Sequence, residues 1–396
     1  MKKKSLWKVL SSAALAASIL APQVSFAEGA KPVTEENVSI KGFVDYEELK
    51  KKLSQLEKSS NGQVQVESAG KTNQGRDIFT ARVGHGDKVV LVQSEIHGNE
   101  KTGTVALLNI LQQLGSSQSA EAKKIREELT IVAIPMMNAD GSELDRRGNV
   151  MNWEEVQEQF PQLHNAQPTW NYYTRSLQGD DYSQTPGFDV NRDFNPDLNY
   201  VPRAEDFPGN SSTPGWYITP ESQTVRDVYK GLQEEFGKVE VFLDLHHQGF
   251  YKIEGTDEDV TMSISADFVP DPSSPEGSKY SQYAENYRFD FSRQLNVALY
   301  DALQQKGNSV FTNISLYDQD LDLPGTALGS FALNGSGVVL FEVKGQTQNY
   351  GQKMKGQLVK TVETGVMGII HGVADGSVYD LNPEEYNEIP NRVPIR

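Results

Sequence analysis

Ser94-Glu95-Ile96-His97-Gly98-Asn99-Glu100 is the turn around which the chain is organised. It follows Val89 to Val92, an apolar and mostly β-branched run that predicts a short buried strand ending in a loop. At a strand-to-helix turn, residues three apart can converge on one point. His97 and Glu100 can therefore offer an imidazole nitrogen and a carboxylate to a single zinc ion, which in catalytic sites takes three protein ligands and keeps a fourth position open. A His and a Glu three apart also arise by chance, and then mark only a capped helix start with a surface carboxylate. The third ligand has to come from elsewhere.

Outward from this turn, strands and helices alternate. Leu49, Leu53 and Leu56 recur at helical spacing; Val64 with Val66 and then Ile78 to Val83 read as strands on either side of the turn Gly70 to Arg76. Val105, Leu108, Ile110 and Leu111 mark a helix, and a second helix from about Ala120 leads into a strand from Thr130 to Ile134. Next come the turn Asn138-Ala139-Asp140-Gly141, Arg146-Arg147, and about forty residues rich in aromatic and amide side chains, Val150 to Phe188. A loop of that length in a compact domain is usually functional, and this one is expected to be a lid over a cleft. Pro220 to about Glu235 predicts a helix, and Val239 to Leu245 a strand that delivers Asp244-Leu245-His246-His247 to its end. A long helix is expected from about Tyr280 to Gln305, a strand from Val338 to Val343, and a closing helix from about Gln352 to Val373. Glu342 sits among apolar strand neighbours, where a carboxylate is rare unless it is paired or does chemistry. The pattern predicts one α/β domain with a mixed, mainly parallel central sheet and helices on both faces.

Composition bounds the function. The chain has 396 residues, a formal charge of −17 and no cysteine. Lys2, Lys3 and Lys4 precede an apolar run from about Val9 to Val24, and Ser25-Phe26-Ala27 fits a cleavage site, so residues 1–27 read as a secretory signal. Pro22 and the shortness of the run argue against a membrane span. Cleavage removes four of the 37 basic residues and none of the 54 acidic ones, leaving a charge of −21. Binding to nucleic acid or to anionic lipid is not expected of so acidic a protein. A flexible tail over 28–41, a catalytic domain over 42–375 and a C-terminal surface tail over 376–396 complete the division. The expected product is a secreted monomer without disulfides.

His97 with Glu100, His246 and Glu342 all fall at or near strand ends, where sites assemble in α/β sheets. With these motifs in order, the chain resembles the zinc carboxypeptidases of the carboxypeptidase A type, the M14 metallopeptidase family, from about Tyr46 to Val373. His97-Gly98-Asn99-Glu100 is similar to the family's paired zinc ligands, Leu243-Asp244-Leu245-His246 to the third, and Phe341-Glu342-Val343 to its catalytic glutamate. The resemblance implies one zinc per chain on His97, Glu100 and His246, with Glu342 as general base. It implies an electrophilic arginine at Arg147, with Arg146 the alternative, and a clamp for the substrate's terminal carboxylate made by Asn191 and Arg192. Asp189 would orient His97. Of the adjacent His246 and His247, which point to opposite sides of a strand, the family pattern favours His246. His85, His164 and His371 read as surface or packing residues.

The chain also departs from the pattern. Ala139 replaces a proline, Lys344 stands where an arginine is usual, and the family's mobile tyrosine has no clear counterpart, Tyr317 being the nearest. Asp318, Asp320 and Asp322 alternate in the manner of a Ca²⁺ loop, but without its central glycine and closing glutamate. Asp320 and Asp322 also suggest a preference for Lys or Arg at the substrate C-terminus. The expected activity is hydrolysis of the C-terminal bond of peptides with a free terminal carboxylate. The rivals are a cell-wall (peptidoglycan) peptide hydrolase of the same family, an amidohydrolase acting on acylated amino acids, and a metal-free peptide-binding protein.

Overall fold

A computed structural model describes residues 42–305 and 313–395, with 347–353 described for the backbone alone. The expected signal and the 28–41 tail lie outside the described residues. In chain order the elements are α1 (Tyr46–Ser59), β1 (Val64–Lys71), β2 (Asp77–Gly84), β3 (Lys88–Ser94), α2 (Thr102–Ser116), α3 (Ala120–Glu128), β4 (Leu129–Ile134), α4 (Ala139–Glu143) and α5 (Trp153–Gln159). Then follow β5 (Tyr172–Tyr173), β6 (Gly187–Phe188), α6 (Pro220–Phe236), β7 (Val241–Gln248), β8 (Tyr251–Ile253), β9 (Met262–Ser265) and α7 (Phe289–Gln304). β10 (Ile314–Leu316), α8 (Ala327–Leu333), β11 (Gly337–Lys344), α9 (Thr347–Asp375) and β12 (Arg392–Pro394) complete the chain.

Eight strands form one mixed sheet in the order β1-β2-β4-β3-β7-β11-β9-β10. Its middle, β4-β3-β7-β11, is parallel throughout; antiparallel pairing enters on either side of it, β2 with both β4 and β1 and β9 with β11, and the edge strand β10 runs parallel to β9. Because the middle strands are buried on both faces, they read as continuous apolar runs rather than alternating ones. Alternation still decides which face each residue covers. Val90 and Val92 of β3, Leu243 and Leu245 of β7, and Val339 and Phe341 of β11 pack with apolar residues of α1, α2, α7 and α9. Val89 and Leu91, Phe242, and Val338 and Leu340 face the other way, against α6 and α8.

Three expectations from sequence are corrected. The helix expected from Tyr280 begins only at Phe289; Arg288 has non-helical dihedrals and Tyr280 lies in a short 3-10 turn, its hydroxyl donating to Asp322. Residues 376–395 are no surface tail: Tyr386 and Ile389 are buried, the Pro390 carbonyl accepts from Leu316 N–H, and β12 pairs antiparallel with β8. Its apolar residues are too sparse to show a period, and its prolines mark bends against the domain. Finally, the 150–188 segment is less a lid than a buttress. Trp153, Val156, Leu163 and Phe188 form a separate small core with Trp216 and Ile218, and only Gln178 of this segment lines the cleft described next.

Candidate metal centre and cleft

The turn after β3 is held by close packing. A Cβ at Gly98 would lie 2.0 Å from the Gly141 carbonyl carbon, so the backbone can approach α4 only because residue 98 is glycine. Glu95 takes a left-handed conformation, φ 54°, and its buried carboxylate lies by Thr104 Oγ1 and 3.9 Å from Lys101 Nζ. This geometry turns His97 and Glu100 toward the end of β7. His97 Nδ1 is 3.0 Å from Glu100 Oε1, His246 Nδ1 is 2.9 Å from Glu100 Oε2, and the two Nδ1 atoms are 3.2 Å apart. Among the described residues this is the one cluster with metal-ligand spacing.

The donor set fits zinc: two imidazole nitrogens and a carboxylate about 3 Å apart are the edges of a shell whose bonds are about 2.0–2.2 Å. Each ring is braced on its far side. Asp189 Oδ1 lies 3.1 Å from His97 Nε2, and Asp244 Oδ2 lies 3.1 Å from His246 Nε2. Such carboxylates hold the ring orientation and leave Nδ1 as the ligating atom. Asp244 in turn accepts from Gln93 Nε2 at 2.9 Å. Burial pushes the His246 pKa down, but Asp244 and Glu100 outweigh it and hold it well above the usual range. Burial likewise pushes Glu100 up, and His97 with His246 more than reverses this.

Register supplies the next group. β11 pairs with β7 so that Glu342 lies opposite His246, on the same face. Burial lifts the Glu342 carboxyl to about 8; the Glu100 charge adds to this, while His246, Arg392 and Arg147 oppose it. His247 points to the other face. Its Nε2 accepts from Thr102 N–H at 3.2 Å and its Nδ1 lies 2.9 Å from the Gly345 carbonyl, a pair of partners that suits the neutral ring. Burial accordingly lowers its pKa to about 4.

Of the two adjacent arginines, Arg147 enters the cleft. Its Nε and Nη2 donate to Asp189 Oδ2 at 3.0 and 2.9 Å, and Nη1 is 3.2 Å from His97 Nδ1. Arg146 turns away, donating to the Thr185 carbonyl at 2.6 Å and stacking on Tyr182. The 150–188 segment thus steers both side chains, and its Asp180 also accepts from Arg147 N–H. Asn191 accepts from Ala327 N–H through Oδ1, and its Nδ2 is 3.3 Å from His246 Nε2; Arg192 lines the cleft and donates to the Asn191 carbonyl.

Tyr317 also lines the cleft, but packed between Phe268 and Arg392 rather than standing free at the rim. Asp320 and Asp322 do not line it: Asp322 pairs with Lys279 and Tyr280, and Asp318 with Arg392. His85 and His164 are exposed and His371 pairs with Glu121. Sequence reasoning assigned no role to Asp244, Gln248, Tyr251 or Arg392. Asp244 was findable, since strand alternation puts residues 244 and 246 on one face; nothing in the sequence ties Arg392 to this cleft.

A family model described as zinc carboxypeptidase matches residues 49–327. Among solved structures, carboxypeptidase A from Helicoverpa armigera is similar over 88% of this chain and 78% of its own, with 15% identity and a TM-score of 0.57. Thrombin activatable fibrinolysis inhibitor is similar over 86% and 78%, with 12% identity and a TM-score of 0.55. The bovine form of that protein, in complex with tick carboxypeptidase inhibitor, is similar over 86% and 98%, with 14% identity and a TM-score of 0.51. At these identities the likeness is one of fold.

Proposed function

The chain belongs to the zinc carboxypeptidase family, M14, and from that premise we propose that it is an exported enzyme releasing single C-terminal residues from peptides, with the site residues in the following roles. The observation that carries this reading is the meeting, at the ends of the central strands β3, β7 and β11, of the His97, Glu100 and His246 ligand atoms with Glu342 in register beside them. Those three atoms would hold a zinc ion, which when bound would supply Lewis-acid polarisation of a carbonyl and acidification of water. Glu342 accepts a proton from the attacking water and returns it to the leaving amine, for which its raised pKa suits it. Asp189 holds both His97 and Arg147, so the guanidinium is oriented before charge develops on the scissile oxygen. Arg192, with Asn191, grips the terminal carboxylate. Export rests on the basic and apolar segment over residues 1–27.

The test is zinc content measured together with residue release from a mixed peptide library, with and without chelator. About one zinc per chain and chelator-sensitive release of single terminal residues is the expected result. Zinc without release would redirect the reading to cell-wall peptides or acylated amino acids, and absence of zinc would end it. N-terminal sequencing of protein recovered from culture medium tests cleavage after Ala27.

A further inference from the structure

Arg392 enters the cleft from the far end of the chain. The strand β12 carries it opposite Ile253, and the buried Tyr386 and Ile389 anchor the segment just before it. Its guanidinium carbon lies 4.0 Å from the ring centre of Tyr251 and 3.8 Å from that of Tyr317. Nη1 donates to Gln248 Oε1, and Nη2 is 3.0 Å from Asp318 Oδ1. The side chain is 3% exposed. Stacking between two rings fixes the planar fork in advance, so little entropy remains to be lost when it meets a carboxylate. Asp318 is half exposed, which weakens its hold through solvent screening, and a guanidinium has five N–H donors to share.

The charges lining the cleft decide what it can receive. Among the described lining residues the acids are Glu100 and Glu342 and the bases Arg147, Arg192 and Arg392. Glu100 belongs to the metal set and Glu342 is the base, so a cationic terminal side chain would find no further carboxylate. Arg147 and Arg192 serve the scissile oxygen and the terminal carboxylate in the reading above, which leaves one cation. Phe268, Leu321, Leu323 and Leu340 supply apolar lining for methylene groups.

We propose that Arg392 is a specificity-determining residue, and that the substrates are peptides whose C-terminal residue carries a side-chain carboxylate. The inference rests on the carboxypeptidase reading and reverses the basic preference suggested by Asp320 and Asp322. It is tested on the zinc-loaded full-length protein with four acylated dipeptides that differ only in ending with Glu, Gln, Leu or Lys. The wild type should show kcat/KM about tenfold or more higher for Glu than for Gln, with Lys the poorest, because the two side chains are nearly isosteric and differ in charge. Arg392→Gln should bring the Glu to Gln ratio near one, and Arg392→Lys should keep part of it. A wild type that favours Gln, Leu or Lys overturns the proposal without any variant. So does an unchanged ratio in Arg392→Gln, which would make Arg392 a structural clamp. Release from none of the four would instead fail the carboxypeptidase reading itself.

Discussion

Glu342 and Arg392 line the same cleft and reach it by different routes. Glu342 is positioned by the sheet: two parallel strands in register set it beside His246, and no side-chain contact is needed to aim it. Arg392, at the start of the short two-stranded β12-β8 ribbon outside the main sheet, and Arg147, on irregular chain, are aimed by partners, Tyr251, Tyr317, Gln248 and Asp318 for the one and Asp189 for the other. Backbone ladders place a residue at no cost in additional polar groups. These two cations, set outside the main ladder, each need a carboxylate or a ring behind them, and the acidic excess of this chain is partly spent there.

The widest break in this contrast would come from the strand wall. His246→Ala should abolish stoichiometric zinc and reduce turnover to background, read by metal analysis and peptide release; retained zinc would remove His246 from the ligand set. Glu342→Gln should keep zinc and lose about 10²–10⁴-fold in kcat, and with it the rise of rate with pH that a titrating base produces. Near-normal turnover there would take the base role from Glu342.

The loop wall should give smaller effects, and of two kinds. Arg147→Ala should cost about 10²–10³-fold in kcat with little change in zinc. Arg146→Ala should act mainly on melting temperature, because its donors tie the carbonyl of the buried Asn149 to that of Thr185 and do not enter the cleft. Equal kinetic losses in the two would erase the distinction drawn from their geometry.

The strut behind that loop should act on stability and leave turnover the least changed. Asn149 Nδ2 donates to Glu221 Oε2 at 2.9 Å, and Asn149 Oδ1 accepts from Phe188 N–H, tying the Arg147 loop to α6. Burial raises Glu221 to about 8 from 4.5, despite its place at a helix N-terminus. The folded state therefore prefers the neutral carboxyl. Below about pH 4.5 there is no penalty; between there and pH 8 stability falls as pH rises, by up to roughly 5 kcal/mol. Glu221→Gln should remove that slope in urea titrations at pH 5 and pH 8. A slope identical to wild type would show that Glu221 ionises without penalty.

Much of the site was legible because strand ends are legible. Val89 to Val92, Val239 to Leu245 and Val338 to Val343 are mainly apolar runs, and the polar residues that follow the first two, His97 with Glu100 and His246, like Glu342 inside the third, have no place in a core unless they act together. The Arg146 and Arg147 ambiguity was not resolvable in sequence, since adjacent loop residues have no fixed period; packing of Arg146 on Tyr182 settles which one faces the cleft. The aromatic segment showed its composition but not its use. Trp153 and Phe188 turned out to fill a core of their own, while Asp180 and Tyr182 support the arginine loop.

The sequence by itself determined the α/β architecture, the family and the residues gathered at the strand ends, because hydrophobic periodicity and short-range spacing are local properties of the chain. Only the tertiary structure decided that Asp244 stands behind His246, that Asp320 and Asp322 stay outside the cleft, and that the last residues return to place Arg392 inside it. Those contacts join positions up to 144 residues apart, as between Gln248 and Arg392. No local pattern encodes them, since what selects them is the burial and charge pairing of the completed fold.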